Sequence, residues 1–124
     1  MSTRANVKML DSYNTELWFY RHSDGYPEGT LPTLKQFMRR VERNQYRNNV
    51  QQAGGWLIFI GYEEYKEYQP DWKVGAYEPT TQQHGDIEYL YEVDLKEMEI
   101  RVLFPDGSKA LEPITDFSKK EEED

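Results

Sequence analysis

The chain has 124 residues, 15 Lys and Arg against 23 Asp and Glu, a net charge of -8 and no cysteine. That length suits one domain with room for a core, and the lack of cysteine excludes disulfides, thiol catalysis and thiolate metal sites. The acidic balance argues against general nucleic-acid binding, which needs basic surface to displace phosphate counterions.

From the N-terminus, residues 5 to 10 alternate at Val7 and Met9 as a half-buried strand does. Asp11, Ser12 and Asn14 are turn residues, and Leu17 to His22, rich in aromatics, reads as the partner strand of a hairpin. Gly25, Pro27, Gly29 and Pro32 then break any central strand. Thr30 or Thr33 is expected to cap a helix over 33 to 48, with Pro32 in or near its first turn and Leu34, Phe37, Met38 and Val41 as its apolar stripe. Residues 50 to 68 read as a buried strand or, better, as a second helix; Gly54, Gly55 and Gly61 weaken both.

Residues 69 to 86, with two prolines and two glycines, read as a long loop. Residues 87 to 104 alternate cleanly, at Ile87, Tyr89, Tyr91 and Val93 and again at Met98, Ile100, Val102 and Phe104. They form the strongest signal in the chain, a β-hairpin. The expected fold is α+β: an antiparallel sheet of about four strands, from N-terminal and C-terminal hairpins, with one or two helices on one face. Residues 1–117 make the single domain and 118–124 a charged tail with nothing to bury. No apolar run exceeds five residues, at 56 to 60. A membrane helix needs about 20, and the first ten residues lack the pattern of a signal peptide. The expectation is a cytoplasmic protein with no membrane partner.

Residues 2 to 7, 20 to 29 and 77 to 95 resemble, in patches, a family of small uncharacterised proteins of bacteria, archaea and their phages. Its mark is a His-x-Asp-Gly-Tyr-Pro segment, here His22, Asp24, Gly25, Tyr26 and Pro27. Relatives commonly carry tryptophan where this chain has Ser23, and any stacking of that ring on a ligand would have no counterpart here. The resemblance implies a phage or mobile-element setting and no particular activity.

Two sets of side chains are candidates for chemistry. His22 and His84 are the only histidines, and each has an aspartate two residues on, Asp24 and Asp86. Brought to one sheet edge, the four could hold zinc, manganese or iron(II) and activate a water for hydrolysis, with Glu28, Glu78 or Glu88 completing the set. The plainer reading is that Asp24-Gly25 makes a turn and the imidazoles are structural. No nucleophile elbow or phosphate-binding loop is present.

The second set is electrostatic. Lys35, Arg39, Arg43 and Arg47 recur every four residues beside Arg40, so residues 34 to 50 carry +4 and the rest of the chain -12. Residues 86 to 100 carry -5, from Asp86, Glu88, Glu92, Asp94, Glu97 and Glu99 against Lys96. The plain reading is two solvated faces. The functional reading is a non-enzymatic protein-interaction module, docking a protein partner or a second copy through these faces. A nucleic acid or nucleotide on the basic helix is the lesser alternative. The acidic hairpin could imitate a phosphate backbone and inhibit a nucleic-acid-binding host enzyme. That reading needs no cofactor; a divalent metal enters only with the hydrolase alternative.

Overall fold

In the computed structural model, which describes residues 2 to 118, eight elements follow one another. They are β1 (Ala5–Leu10), β2 (Glu16–Arg21), α1 (Pro27–Glu42), α2 (Val50–Glu64), a 3-10 turn (Lys66–Tyr68), β3 (Glu78–Thr80), β4 (Tyr89–Asp94) and β5 (Glu99–Leu103). The class is α+β, with a five-stranded mixed sheet in the order β3-β2-β1-β4-β5. Both expected hairpins are present, β1 with β2 and β4 with β5. They are joined by a parallel pairing, Ala5 opposite Tyr89 through Leu10 opposite Asp94, so the sheet is not purely antiparallel.

The strand pattern decides which side chains lie beneath the helices. Val7 and Met9, opposite Tyr91 and Val93, continue through Val102 and Ile100 on the same face. With Phe19 they pack against Leu34, Phe37, Met38 and Val41 of α1 and Val50, Ala53, Leu57 and Ile60 of α2. Each of the Val, Leu, Ile, Met and Phe side chains among them contributes about 1.5–3 kcal/mol by leaving water. The opposite face holds a smaller cluster of Tyr20, Ile87 and Leu90, flanked by Trp18 and Leu103.

Asp11 ties the first hairpin to the second helix. Its Oδ1 accepts the Tyr13 and Thr15 amides at 2.9 and 3.2 Å, and its Oδ2 accepts the Val50 amide at 2.9 Å. Asn49 caps α2 by accepting the Gln52 amide. The segment from 50 onward is therefore helical, and the 3-10 turn takes it to Tyr68. Gly61 sits where α2 crosses the chain entering β3. A Cβ there would lie 2.8 Å from Tyr77 Cδ2, 3.1 Å from the Tyr77 nitrogen and 3.3 Å from that of Ala76.

Two expectations need correcting. The first helix runs 27–42, not 33–48: Pro27 takes the first-turn position, Pro32 lies inside, and neither threonine caps it. It stops because Asn44 adopts φ 60, with its amide on the Val41 carbonyl and that of Gln45 on the Arg40 carbonyl. This is a Schellman ending, in which a left-handed residue satisfies the last carbonyls. Arg47 therefore lies beyond the helix. The loop expected over 69 to 86 contains β3, whose residues pair with β2 from Trp18 opposite Thr80 to Tyr20 opposite Glu78. Pro79 is tolerated because β3 is an edge strand. The charged tail expected at 118–124 lies, apart from Ser118, outside the described residues.

Candidate binding surface

The four-residue spacing of Lys35, Arg39 and Arg43 survives the shortening of α1, because Arg43 is its C-cap. With Arg40 these side chains line an open cavity of about 620 Å³, the largest described, floored by Pro32, Gln36 and Gln45. Arg39 Nη1 donates to the Phe117 carbonyl at 2.7 Å, which holds the C-terminal stretch alongside the groove. None of Lys35, Arg39, Arg40 and Arg43 is ion-paired among the described residues. Arg47, expected to extend the stripe, is exposed but does not line the groove.

Arg40 leads from the basic groove to an aromatic row. Its guanidinium carbon lies 5.8 Å from the Tyr46 ring centroid. Tyr46 stacks on Trp56 at 4.8 Å, and Trp56 meets Phe59 edge-on at 5.9 Å. Trp56 and Phe59 are 41% and 52% exposed, although α2 is among the most apolar segments of the chain. A second cavity, about 220 Å³, shares Gln36 and Arg40 with the first and is walled by Tyr46, Phe59 and Glu63. The apolar run at 56 to 60 is plain in the sequence, but not that two of its rings face outward. Buried positions at 50, 53, 54, 57, 60 and 61 are the signal that separates the two faces.

The His-x-Asp-Gly-Tyr-Pro segment is organised by a residue that sequence reading passed over. Arg21 side chain is 0% exposed, on the helix-covered face of the sheet. Its Nε donates to the Ser23 and Asp24 carbonyls at 2.9 and 3.2 Å, and its Nη2 to that of Gly29 at 3.3 Å. Glu64 accepts from both terminal nitrogens, at 3.0 and 2.5 Å, and from the Thr33 hydroxyl at 2.7 Å. Tyr77 lies beneath the guanidinium, its centroid 5.0 Å away. Burial alone would lower the Arg21 pKa; the Glu64 hydrogen bond and charge outweigh it and raise the value. Gly29 allows the turn to close, since a Cβ there would stand 2.5 Å from the Asp24 carbonyl oxygen. Asp24 itself has φ 57, and the Tyr91 hydroxyl donates to the Gly25 carbonyl at 2.6 Å. The segment is thus a loop wrapped around a buried cation.

The two histidines do approach one another, through Tyr20. His84 stacks on the Tyr20 ring at 4.1 Å, and Asp86 Oδ2 accepts the Tyr20 hydroxyl at 2.9 Å. The same hydroxyl lies 3.4 Å from His22 Nδ1. Burial first, then the Asp86 hydrogen bond, push the Tyr20 pKa up to about 12. His84 is held from both ends: Thr80 Oγ1 lies 2.8 Å from its Nε2, and its amide donates to Asn6 Oδ1 at 2.7 Å. Asp24 does not join them; its carboxylate lies 3.5 Å from the Tyr26 hydroxyl. Asp86 also faces Arg4 Nε at 3.6 Å. Among the described residues no three or more His, Asp or Glu side chains gather closely enough to hold a metal ion. The candidate ligand set is therefore divided, three members around Tyr20 and the fourth elsewhere.

The acidic hairpin is partly neutralised from within. Arg101 sits opposite Glu92 on the uncovered sheet face and pairs with Glu92 at 2.8 Å, Asp94 at 2.9 Å and Glu99 at 2.5 Å. Burial would raise the Asp94 pKa, but the Glu97 amide and Arg101 outweigh it and hold it below the usual carboxylate range. Of the six acids at 86 to 100, Asp86, Glu88 and Glu97 stand exposed, and Asp86 faces Arg4. Counting charges along residues 86 to 100 missed Arg101, which lies one residue beyond that window.

Comparison with family models, curated proteins and solved structures finds no match. Among the described residues no helix is long and apolar enough to cross a membrane.

Proposed function

We propose that the protein is a non-enzymatic interaction module that docks an acidic protein surface on the basic groove of α1. One observation carries the reading: Lys35, Arg39, Arg40 and Arg43 converge on one groove without ion-pair partners among the described residues, whereas Arg21 and Arg101 are each fully engaged. Arg39 and Arg40 make local contacts with the Phe117 carbonyl and the Tyr46 ring, but the four cations together repel one another mildly. The worth of the cluster lies in attracting and orienting an oppositely charged partner. The neighbouring exposed rings of Trp56 and Phe59, backed by the buried Tyr46, supply the aromatic anchors that, with arginine, carry most binding energy at protein interfaces. A protein partner is favoured over a nucleic acid because Glu63 walls the adjoining cavity and the whole chain carries -8. The uncovered sheet face contributes less, since Arg101 ties up Glu92, Asp94 and Glu99 and partly neutralises them.

Fluorescence anisotropy with a labelled poly-glutamate peptide and a labelled single-stranded oligonucleotide of equal charge tests the proposal. The peptide should bind the more tightly, weaken as salt rises, and be lost in Arg39→Glu/Arg43→Glu. Tighter binding of the oligonucleotide would move the reading to nucleic acid. Peptide affinity that ignores salt, or survives the double charge reversal, would remove it.

A further inference from the structure

A third cavity, of about 210 Å³, opens beside β3, away from the basic groove. It is lined by the rings of Tyr20, Tyr65 and Trp72, by His22, and by Glu78. Tyr65 and Trp72 stand edge to face, their centroids 5.2 Å apart and their planes 73° from each other, so they form two nearly perpendicular walls. Trp72 is backed by Tyr68, stacked at 4.3 Å and 13°, which fixes the indole although it is 47% exposed. Glu78 lies directly opposite Tyr20 in the sheet register, which puts its side chain on the same face as that ring. No lysine or arginine lines the cavity.

Aromatic faces carry negative charge density, and two or three of them meeting at right angles beside a carboxylate attract a cation that sheds water easily. The cavity is smaller than the roughly 300 Å³ at which sites for drug-sized ligands begin. It therefore suits a compact head group and not a nucleotide. We infer that this cavity is a receptor for a methylated ammonium group, with Trp72 and Tyr65 as cage walls and Glu78 as counter-charge. Tyr20 is held in place by its stacking on His84 and its bond to Asp86, so the third ring is set before any ligand arrives. The inference is independent of the basic groove, which would attract the opposite charge.

Such a group occurs in choline-type head groups and in trimethylated lysine side chains, and the two are separable. Calorimetry on the full chain uses three probes: choline, free Nε-trimethyl-lysine, and 3,3-dimethylbutan-1-ol, the uncharged isostere of choline. At least one of the two cations should bind, and the isostere at least tenfold more weakly. Tighter choline binding assigns the site to head groups, and tighter trimethyl-lysine binding assigns it to modified protein side chains. Trp72→Ala should abolish binding, and Glu78→Gln should weaken it several-fold, both with an unchanged far-UV spectrum. An isostere that binds as well as choline, absence of binding by both cations, or wild-type affinity in Trp72→Ala overturns the inference.

Discussion

Glu64→Ala removes the only ion-pair partner, among the described residues, of a fully buried guanidinium. Arg21 Nη1 then has no acceptor, whereas Nε keeps the Ser23 and Asp24 carbonyls and Nη2 keeps that of Gly29 at 3.3 Å. The Thr33 hydroxyl loses its acceptor as well. Breaking a buried pair from one side costs about 3–5 kcal/mol, because the remaining charge is left uncompensated. The Glu64 side chain is 24% exposed, so water can enter the space it vacates. With three carbonyls still engaged, the lower end applies, about 3 kcal/mol. For a chain of this length that lowers the melting temperature by roughly 10–15 °C. Urea unfolding followed by tryptophan fluorescence should show a lower midpoint at an unchanged slope. Arg21→Met should cost more than Glu64→Ala, because it leaves three backbone carbonyls without their donor. A cost under about 1 kcal/mol for Glu64→Ala, or an Arg21→Met milder than it, would refute the view that this pair organises the 20 to 29 loop.

Two further outcomes follow from the packing. Burial would raise the Asp11 pKa, but the amides of Val50, Thr15 and Tyr13 outweigh it and hold the value below normal. The folded pKa is thus below the unfolded one, so Asp11 contributes stability that is fully present above the unfolded value of about 3.9 and is lost as pH falls through the folded one. Asp11→Asn should cost about 1–2 kcal/mol at pH 7 and flatten the decline of stability below about pH 4; an unchanged acid limb in urea titrations would count against the linkage. Gly61→Ala would drive a methyl group into the backbone entering β3, and should cost about 1–3 kcal/mol by thermal melting. A neutral result would mean that α2 can move off that strand.

Much of the scaffold is legible in local pattern. The alternations within 5 to 10 and 87 to 104, the turn residues at 11 to 14 and the stripe of Leu34, Phe37, Met38 and Val41 each specify an element, because period and turn chemistry act over a few residues; Ile87, which precedes β4, falls instead to the opposite face from Tyr91 and Val93. The basic spacing at 35, 39 and 43 likewise gives the groove, since an α-helix places such residues on one side. What tertiary structure alone decided depends on partners far along the chain. The pairing of β1 with β4, the recruitment of 78 to 80 as an edge strand, and the burial of Arg21 against Glu64 leave no local trace. A buried arginine reads in sequence like any exposed one, and only the carbonyls and carboxylate that fold around it make its burial affordable. Arg101 illustrates the same point from the surface. Charge counted along the chain reads as an acidic row, whereas strand register sets one guanidinium among three of its carboxylates.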